Sequence, residues 1–245
     1  HAIMDGVNMA LELDGADYRV AMVETITSGE GHEMGATLLQ RDVGNKRLGA
    51  DFVANEPRRG WSGAPGGTTD DVAHASDQTG DAVPVFGGLG AAATDAAIVR
   101  AMGTWDAMTC SQLGVTRNAD FGIDIGVIAF RNGLGGSPFV FADIQHAGWR
   151  DINFSGGTIG ATFTFVFTSG GVPTDVDGNG LADVAFREIY YDPSFNWADD
   201  GTNNIDVETV ALHEIGHGLS QAHFGNLFLK KGALSASPRA VMNAF

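Results

Sequence analysis

The sequence predicts an α+β fold: a twisted mixed sheet, a long N-terminal helix, and a later helix built to hold a metal ion. Three stretches carry this expectation. Thr158 to Thr168 alternates strictly, with Phe163, Phe165 and Phe167 facing one way and Thr162, Thr164 and Thr168 the other, which is the pattern of a half-buried strand. Ile98, Ala101, Met102, Trp105 and Met108 recur at helical spacing. His213 and His217 stand four residues apart, so on a helix they differ by about 40° around the axis and share one face.

Taken in order, Ile3 to Leu13 is apolar with few breaks and reads as a short helix, ended by Asp14-Gly15-Ala16-Asp17. Tyr18 to Ile26 is rich in β-formers and reads as a strand, followed by a turn at Ser28 to Gly31. Ala36 to Arg41 and Leu48 to Ala54 read as two more strands around Val43-Gly44-Asn45. Glu56 to Thr69, with Pro57, Pro65 and several glycines, reads as a linker, so the chain divides into an N-terminal region, 1–70, and a main domain, 71–245. Thr94 is the expected N-cap of a helix running to about Cys110, with Asp95 in its first turn. Phe121 to Phe130 reads as a buried strand, Asn132 to Ser137 as a glycine turn, and Phe139 to Ile144 as a short strand. Ala185 to Tyr191 follows as another strand, then a polar loop from Trp197 to Asn204. Asp206 is placed to cap the helix carrying His213, whose apolar side is Val207, Val210 and Ala211.

The chain has 245 residues, 44% of them hydrophobic, which suits one large domain with or without an extension. Its net charge of −16 is spread without a basic patch, which argues against nucleic acid or an anionic membrane surface as partners. No run of apolar residues is long enough to cross a membrane as a helix. Cys110 is the single cysteine, so no internal disulfide forms. The chain starts at His1 rather than Met, so the start is expected to be a processed or an engineered one, and prior removal of a signal peptide is compatible with it.

The chemistry concentrates in His213-Glu214-Ile215-Gly216-His217-Gly218-Leu219-Ser220-Gln221-Ala222-His223. Two imidazoles on one helix face can bind one tetrahedral zinc, leaving room for a third ligand and a water. Glu214, beside the first histidine, can take a proton from that water. His223 reaches the same ion only if the helix stops near Gly218 to Ser220 and the chain turns back. No Asp or Glu occurs after Glu214, so His223 is the only downstream candidate for third ligand. An ordinary amphipathic helix with surface histidines explains neither this spacing nor the small residues Gly216, Gly218 and Ser220.

This stretch resembles the metzincin zinc peptidases, whose pattern is H-E-x-x-H-x-x-G-x-x-H followed by a Met-containing turn. Ser220 stands where that family has a glycine in left-handed conformation, at a cost of roughly 1–2 kcal/mol. Met242, in Arg239-Ala240-Val241-Met242-Asn243, looks like the Met of the turn. The resemblance covers about residues 70–245 and is closest to the matrixin-like members. It implies a zincin-like catalytic domain and a secreted, extracellular zinc endopeptidase acting on protein or peptide. It implies zinc held by His213, His217 and His223, with Glu214 as general base. It also implies a substrate strand lying antiparallel to Thr158–Thr168, with Thr162 and Thr164 on that rim, and Leu212 with the segment before Met242 shaping the pocket past the scissile bond. Ala244 stands where some members carry an assisting Tyr. The family continues past the Met-turn into a helix that this chain lacks, which leads to two further expectations: partly bare backs on the metal helix and the Thr94–Cys110 helix, and a cleaved C-terminal fragment as partner, tied through Cys110.

Asp175-Val176-Asp177-Gly178-Asn179-Gly180-Leu181-Ala182-Asp183 reads as the first part of a calcium loop, with Asp175, Asp177, Asn179, the Leu181 carbonyl and Asp183 as ligands. The twelfth position, where such loops carry a bidentate Glu, is Phe186. The competing reading is a solvated Asp/Asn/Gly turn. A corresponding alternative for the whole chain is a non-catalytic, calcium-dependent surface or adhesion module that retains a zinc site. A further one is a zymogen with 1–70 as propeptide. His146 reads as a hydrogen-bonded structural residue.

Overall fold

The computed structural model describes residues 2–28, 37–39, 50–61, 71–120, 122–154, 156–201, 205–223, 225–231 and 233–243. Helix α1 spans Ala2–Leu13, and the strands β1 (Tyr18–Thr27), β2 (Thr37–Leu39), β3 (Ala50–Asp51) and β4 (Val72–Ser76) follow. Then come α2 (Ala91–Asp106), β5 (Val115–Arg117), α3 (Val127–Arg131), β6 (Ile144–Trp149), β7 (Thr158–Ser169), β8 (Val172–Pro173) and β9 (Ala182–Tyr191). The chain ends with β10 (Trp197–Ala198), β11 (Ile205–Asp206), α4 (Val207–Gly218), β12 (Asn226–Lys230) and β13 (Ala233–Ser237).

The main sheet runs β2-β1-β7-β9-β6-β4-β5, with β3 on β9 and β8 on β7. It is mixed as expected: β5, β4, β6 and β9 pair in parallel, whereas β9, β7, β1 and β2 pair antiparallel. The expected division near residue 70 falls between β3 and β4, and strands from both sides of it share this sheet. Arg59 reaches across the same point, its buried guanidinium 3.1 Å from Asp143, which also accepts from Trp61 Nε1 and the Ala73 N–H. The expected turn at Val43-Gly44-Asn45, like most of Ser28 to Gly31, lies outside the described residues.

Each face of the sheet carries its own core. On one, Met4, Val7 and Leu11 of α1 and Val127 and Ile128 of α3 pack with Phe163, Phe165 and Phe167. On the other, α2 and α4 pack through Ile98, Met102, Val210 and Ile215 against Ile144 and Ile189. Full burial of such side chains contributes roughly 1.5–3 kcal/mol each. The backs of α2 and α4, expected to be partly bare, instead cover one another, and Trp105 Nε1 donates to the Leu212 carbonyl at 2.9 Å between them.

Four local expectations are corrected. The Thr94–Cys110 helix begins at Gly90, its N-cap, and ends at Asp106. Thr94 lies inside it, fully buried, its hydroxyl donating within reach of the Ala82 and Ala91 carbonyls. The buried strand expected over Phe121–Phe130 does not form: 122–126 is irregular and Val127–Phe130 lies in the helix α3; Gly126 takes φ +133°, and the Glu188 carboxylate accepts the Val127 and Ile128 N–H groups at 2.6 and 3.1 Å. The strand expected at Phe139–Ile144 lies at Ile144–Trp149. Finally, β7 is not half-buried; its threonine face is covered as fully as its phenylalanine face.

Candidate metal centre

Asp206 caps α4 as its sequence position implies, accepting from the Thr209 N–H at 2.8 Å. The helix leaves by a left-handed turn. Ser220 has φ +68°, its N–H donates to the His217 carbonyl at 3.0 Å, and the Gln221 N–H donates to the Gly216 carbonyl at 2.8 Å. That pair of bonds closes a Schellman motif with Ser220 in the position glycine usually holds. The serine has its own anchorage: its hydroxyl donates to the Ala50 carbonyl at 2.8 Å and accepts from Arg187 at 3.0 Å. Arg187 is fully buried and also donates to the carbonyl of Gly218, the last helical residue, at 2.6 Å and to Thr164 Oγ1 at 3.1 Å. Burial pulls its pKa down to about 10, against the opposing charges of Glu24 and Asp51.

The turn returns the chain so that the three imidazoles converge. His217 Nε2 lies 3.0 Å from His213 Nε2 and 3.2 Å from His223 Nε2. A tetrahedral zinc with bonds of about 2.0–2.1 Å separates its nitrogen ligands by roughly 3.3–3.4 Å, so this spacing fits one such ion. The opposite ring nitrogens meet acceptors: His213 Nδ1 lies 2.6 Å from the Val241 carbonyl and His217 Nδ1 2.8 Å from the Gln221 carbonyl. A carbonyl only accepts, so Nδ1 carries the proton in both rings and the Nε2 lone pair is free for a metal. Burial lowers His213 to about 3 and His223 to about 4, keeping both neutral. Burial also acts downward on His217, but Glu24, Glu214 and the Gln221 carbonyl outweigh it and raise that ring.

Small residues at the helix face have a steric cause. A Cβ on Gly216 would sit 2.2 Å from Met242 Sδ, and one on Gly218 would sit 3.1 Å from Ile144 Cδ1. Met242 is thus seated, 6% exposed, against the helix turn between the two histidines.

Glu214 is fully buried. Its Oε2 accepts from Thr162 Oγ1 at 2.6 Å, and the Ile26 backbone N–H also bonds its carboxylate. Its Oε1 has no protein partner among the described residues, and Gly160 leaves it room, since a Cβ there would lie 2.8 Å away. Burial raises Glu214 to about 7, against the opposing influence of His217 and Thr162. Beside His213 a cavity of about 370 Å³ opens, walled by Ile26, Ile159, Val210 and Val241, with Arg239 and Asn243 also lining it.

The rim role expected of Thr162 and Thr164 is corrected. Both are fully buried, and β1 and β9 occupy the two edges of β7, so no substrate strand can add there. Their hydroxyls hold Glu214 and Arg187 instead. Glu24, Gly160 and Arg187 went unread in the sequence. The signal available was a single acid within the apolar run Val20-Ala21-Met22-Val23-Glu24-Thr25-Ile26, and a single arginine in Val184-Ala185-Phe186-Arg187.

In the acidic loop, carboxylate oxygens of Asp175, Asp177 and Asp183 lie within 4.8 Å of one another and could hold a cation. Asn179 Oδ1 accepts from the Leu181 N–H at 2.7 Å, so this oxygen is engaged in the turn. Glu188 does not serve this loop, being committed to α3. His146 is buried and its Nδ1 lies 3.1 Å from the Tyr191 hydroxyl. Cys110 is exposed beyond the end of α2.

No family model matches the chain, and no curated protein matches it. Among the described residues no helix is long and apolar enough to cross a membrane.

Proposed function

We propose that this protein is a zinc-dependent endopeptidase of metzincin type, secreted and acting on protein or peptide. The observation that carries the reading is the convergence of His213, His217 and His223 through Nε2 beside a buried carboxylate that is not one of the three. The left-handed turn at Ser220 and the seat of Met242 against Gly216 support the metzincin resemblance over a generic histidine cluster.

A zinc ion held by the three Nε2 atoms supplies Lewis acidity toward a peptide carbonyl and makes a water more acidic. The chain's own residues do the rest. Thr162 fixes Oε2 of Glu214, leaving Oε1 as the atom that accepts the water proton; that proton then passes from Oε1 to the leaving amide nitrogen as the C–N bond breaks. The cavity beside His213, lined by both apolar and polar side chains, receives a substrate side chain, and because both edges of β7 are taken, this cavity rather than strand addition on β7 is the route of approach. The three carboxylates of the Asp175–Asp183 loop take a structural calcium ion.

The test is metal content by mass spectrometry combined with cleavage of a peptide library, with and without chelator. One zinc per chain with chelator-sensitive cleavage supports the reading. Zinc without cleavage returns the non-catalytic module, and absence of zinc removes the proposal.

A further inference from the structure

We propose that Glu24 is a positioning residue of the metal centre, its carboxylate joining the Gln221 carbonyl behind Nδ1 of His217 to hold that ring's orientation and strengthen its Nε2 as a donor; this rests on the zinc reading above. Glu24 pairs across β1 and β7 with Thr162, so the two side chains share the sheet face that α4 covers. It is 3% exposed, and its Oε1 lies 3.3 Å from His217 Nδ1. Among the described residues this is its only ion-pair partner within 4 Å.

The strand around it is bound into the centre at three successive residues. Glu24 meets His217, the Thr25 backbone bonds His223, and the Ile26 backbone N–H bonds Glu214. Each ligand ring thus has an acceptor behind it: Val241 for His213, Thr25 for His223, and the Gln221 carbonyl together with Glu24 for His217. Among the described residues, His217 alone has a carboxylate there. A carboxylate behind an imidazole holds the proton on Nδ1, turns the ring toward the metal and makes Nε2 a stronger donor. Two carboxylates, Glu24 and Glu214, are also buried beside rings that must be neutral to bind a metal. The buried Arg187 guanidinium offsets part of that charge, and a divalent cation would offset more of it.

The experiment compares zinc affinity by chelator competition in the parent, Glu24→Gln and Glu24→Ala, with the absorption spectrum of the cobalt-loaded proteins as a second readout. The expected result is an affinity loss of about 10–100-fold in Glu24→Ala. Glu24→Gln recovers part of it, because the amide oxygen still accepts from Nδ1–H, and shows a shifted cobalt spectrum. Parent-like affinity in Glu24→Ala overturns the inference. Should that variant fail to fold, a cobalt spectrum and zinc affinity in Glu24→Gln identical to the parent overturn it equally. A parent that binds no zinc refutes the proposed function instead, so the two failures are distinct.

Discussion

Thr162 Oγ1 donates to Glu214 Oε2 at 2.6 Å from the middle of a fully buried strand. A hydroxyl in the core of a sheet thereby fixes which oxygen of the acid is left free. A hydrogen bond to a charged group is worth about 1.5–3 kcal/mol, so Thr162→Val is expected to lower kcat by about 10- to 150-fold while zinc content and KM change little. Steady-state kinetics with metal analysis checks this; unchanged kcat would mean that Glu214 is held by other contacts.

Glu214→Ala is expected to keep one zinc per chain and to lose about 10²–10⁴-fold in turnover, because Glu214 stands beside the three nitrogens without being one of the ligands. Near-parental turnover would remove it from the mechanism.

Ser220 separates strain from bonding. Ser220→Ala keeps the left-handed backbone strain and loses both hydroxyl bonds, so it should destabilise by about 1–3 kcal/mol. Ser220→Gly loses the same bonds but relieves roughly 1–2 kcal/mol of strain, so it should come out close to the parent. Denaturant midpoints of the two variants, measured with zinc present, decide the matter. If glycine proves as harmful as alanine, the hydroxyl bonds to Ala50 and Arg187 dominate the turn.

Acid should weaken the fold through His74. This ring is 3% exposed, and burial, helped by Arg117, lowers it to about 4 from 6.5. Protonation is therefore disfavoured in the folded chain, so its contribution is fully present above pH 6.5 and is lost as pH falls toward 4. Linkage over that interval amounts to about 3 kcal/mol. His74→Leu should flatten the decline between pH 6.5 and 4 in urea titrations, and an unchanged slope would assign the acid sensitivity elsewhere.

What could be read from the sequence divides by range. The Asp206 cap and the end of α4 are set within a few residues and were legible from spacing, whereas the left-handed conformation at Ser220 was expected only from the metzincin resemblance. The faces of β7 were also legible from alternation, but their burial was not, because α4 arrives from far along the chain to cover the threonines. Phe121–Phe130 misled for the same reason: an apolar, β-branched run looks like a strand until Glu188, on β9, supplies acceptors for the first N–H groups of α3. Glu24 and Arg187 went unread because their partners, His217 and Ser220, are brought to them only by the sheet order.

The placement of β1 has a practical side as well. Ser220 and the Ala50 carbonyl that it bonds are 170 positions apart, and β1 pairs along one side of β7 from Thr158 to Phe167. A shortened protein beginning after the expected boundary near residue 70 would leave that side of β7 as an open row of N–H and C=O groups flanked by Phe163, Phe165 and Phe167. Such a row templates pairing between molecules. β1 therefore acts as a guard against self-association, and preparations trimmed past it are expected to be lost as aggregate.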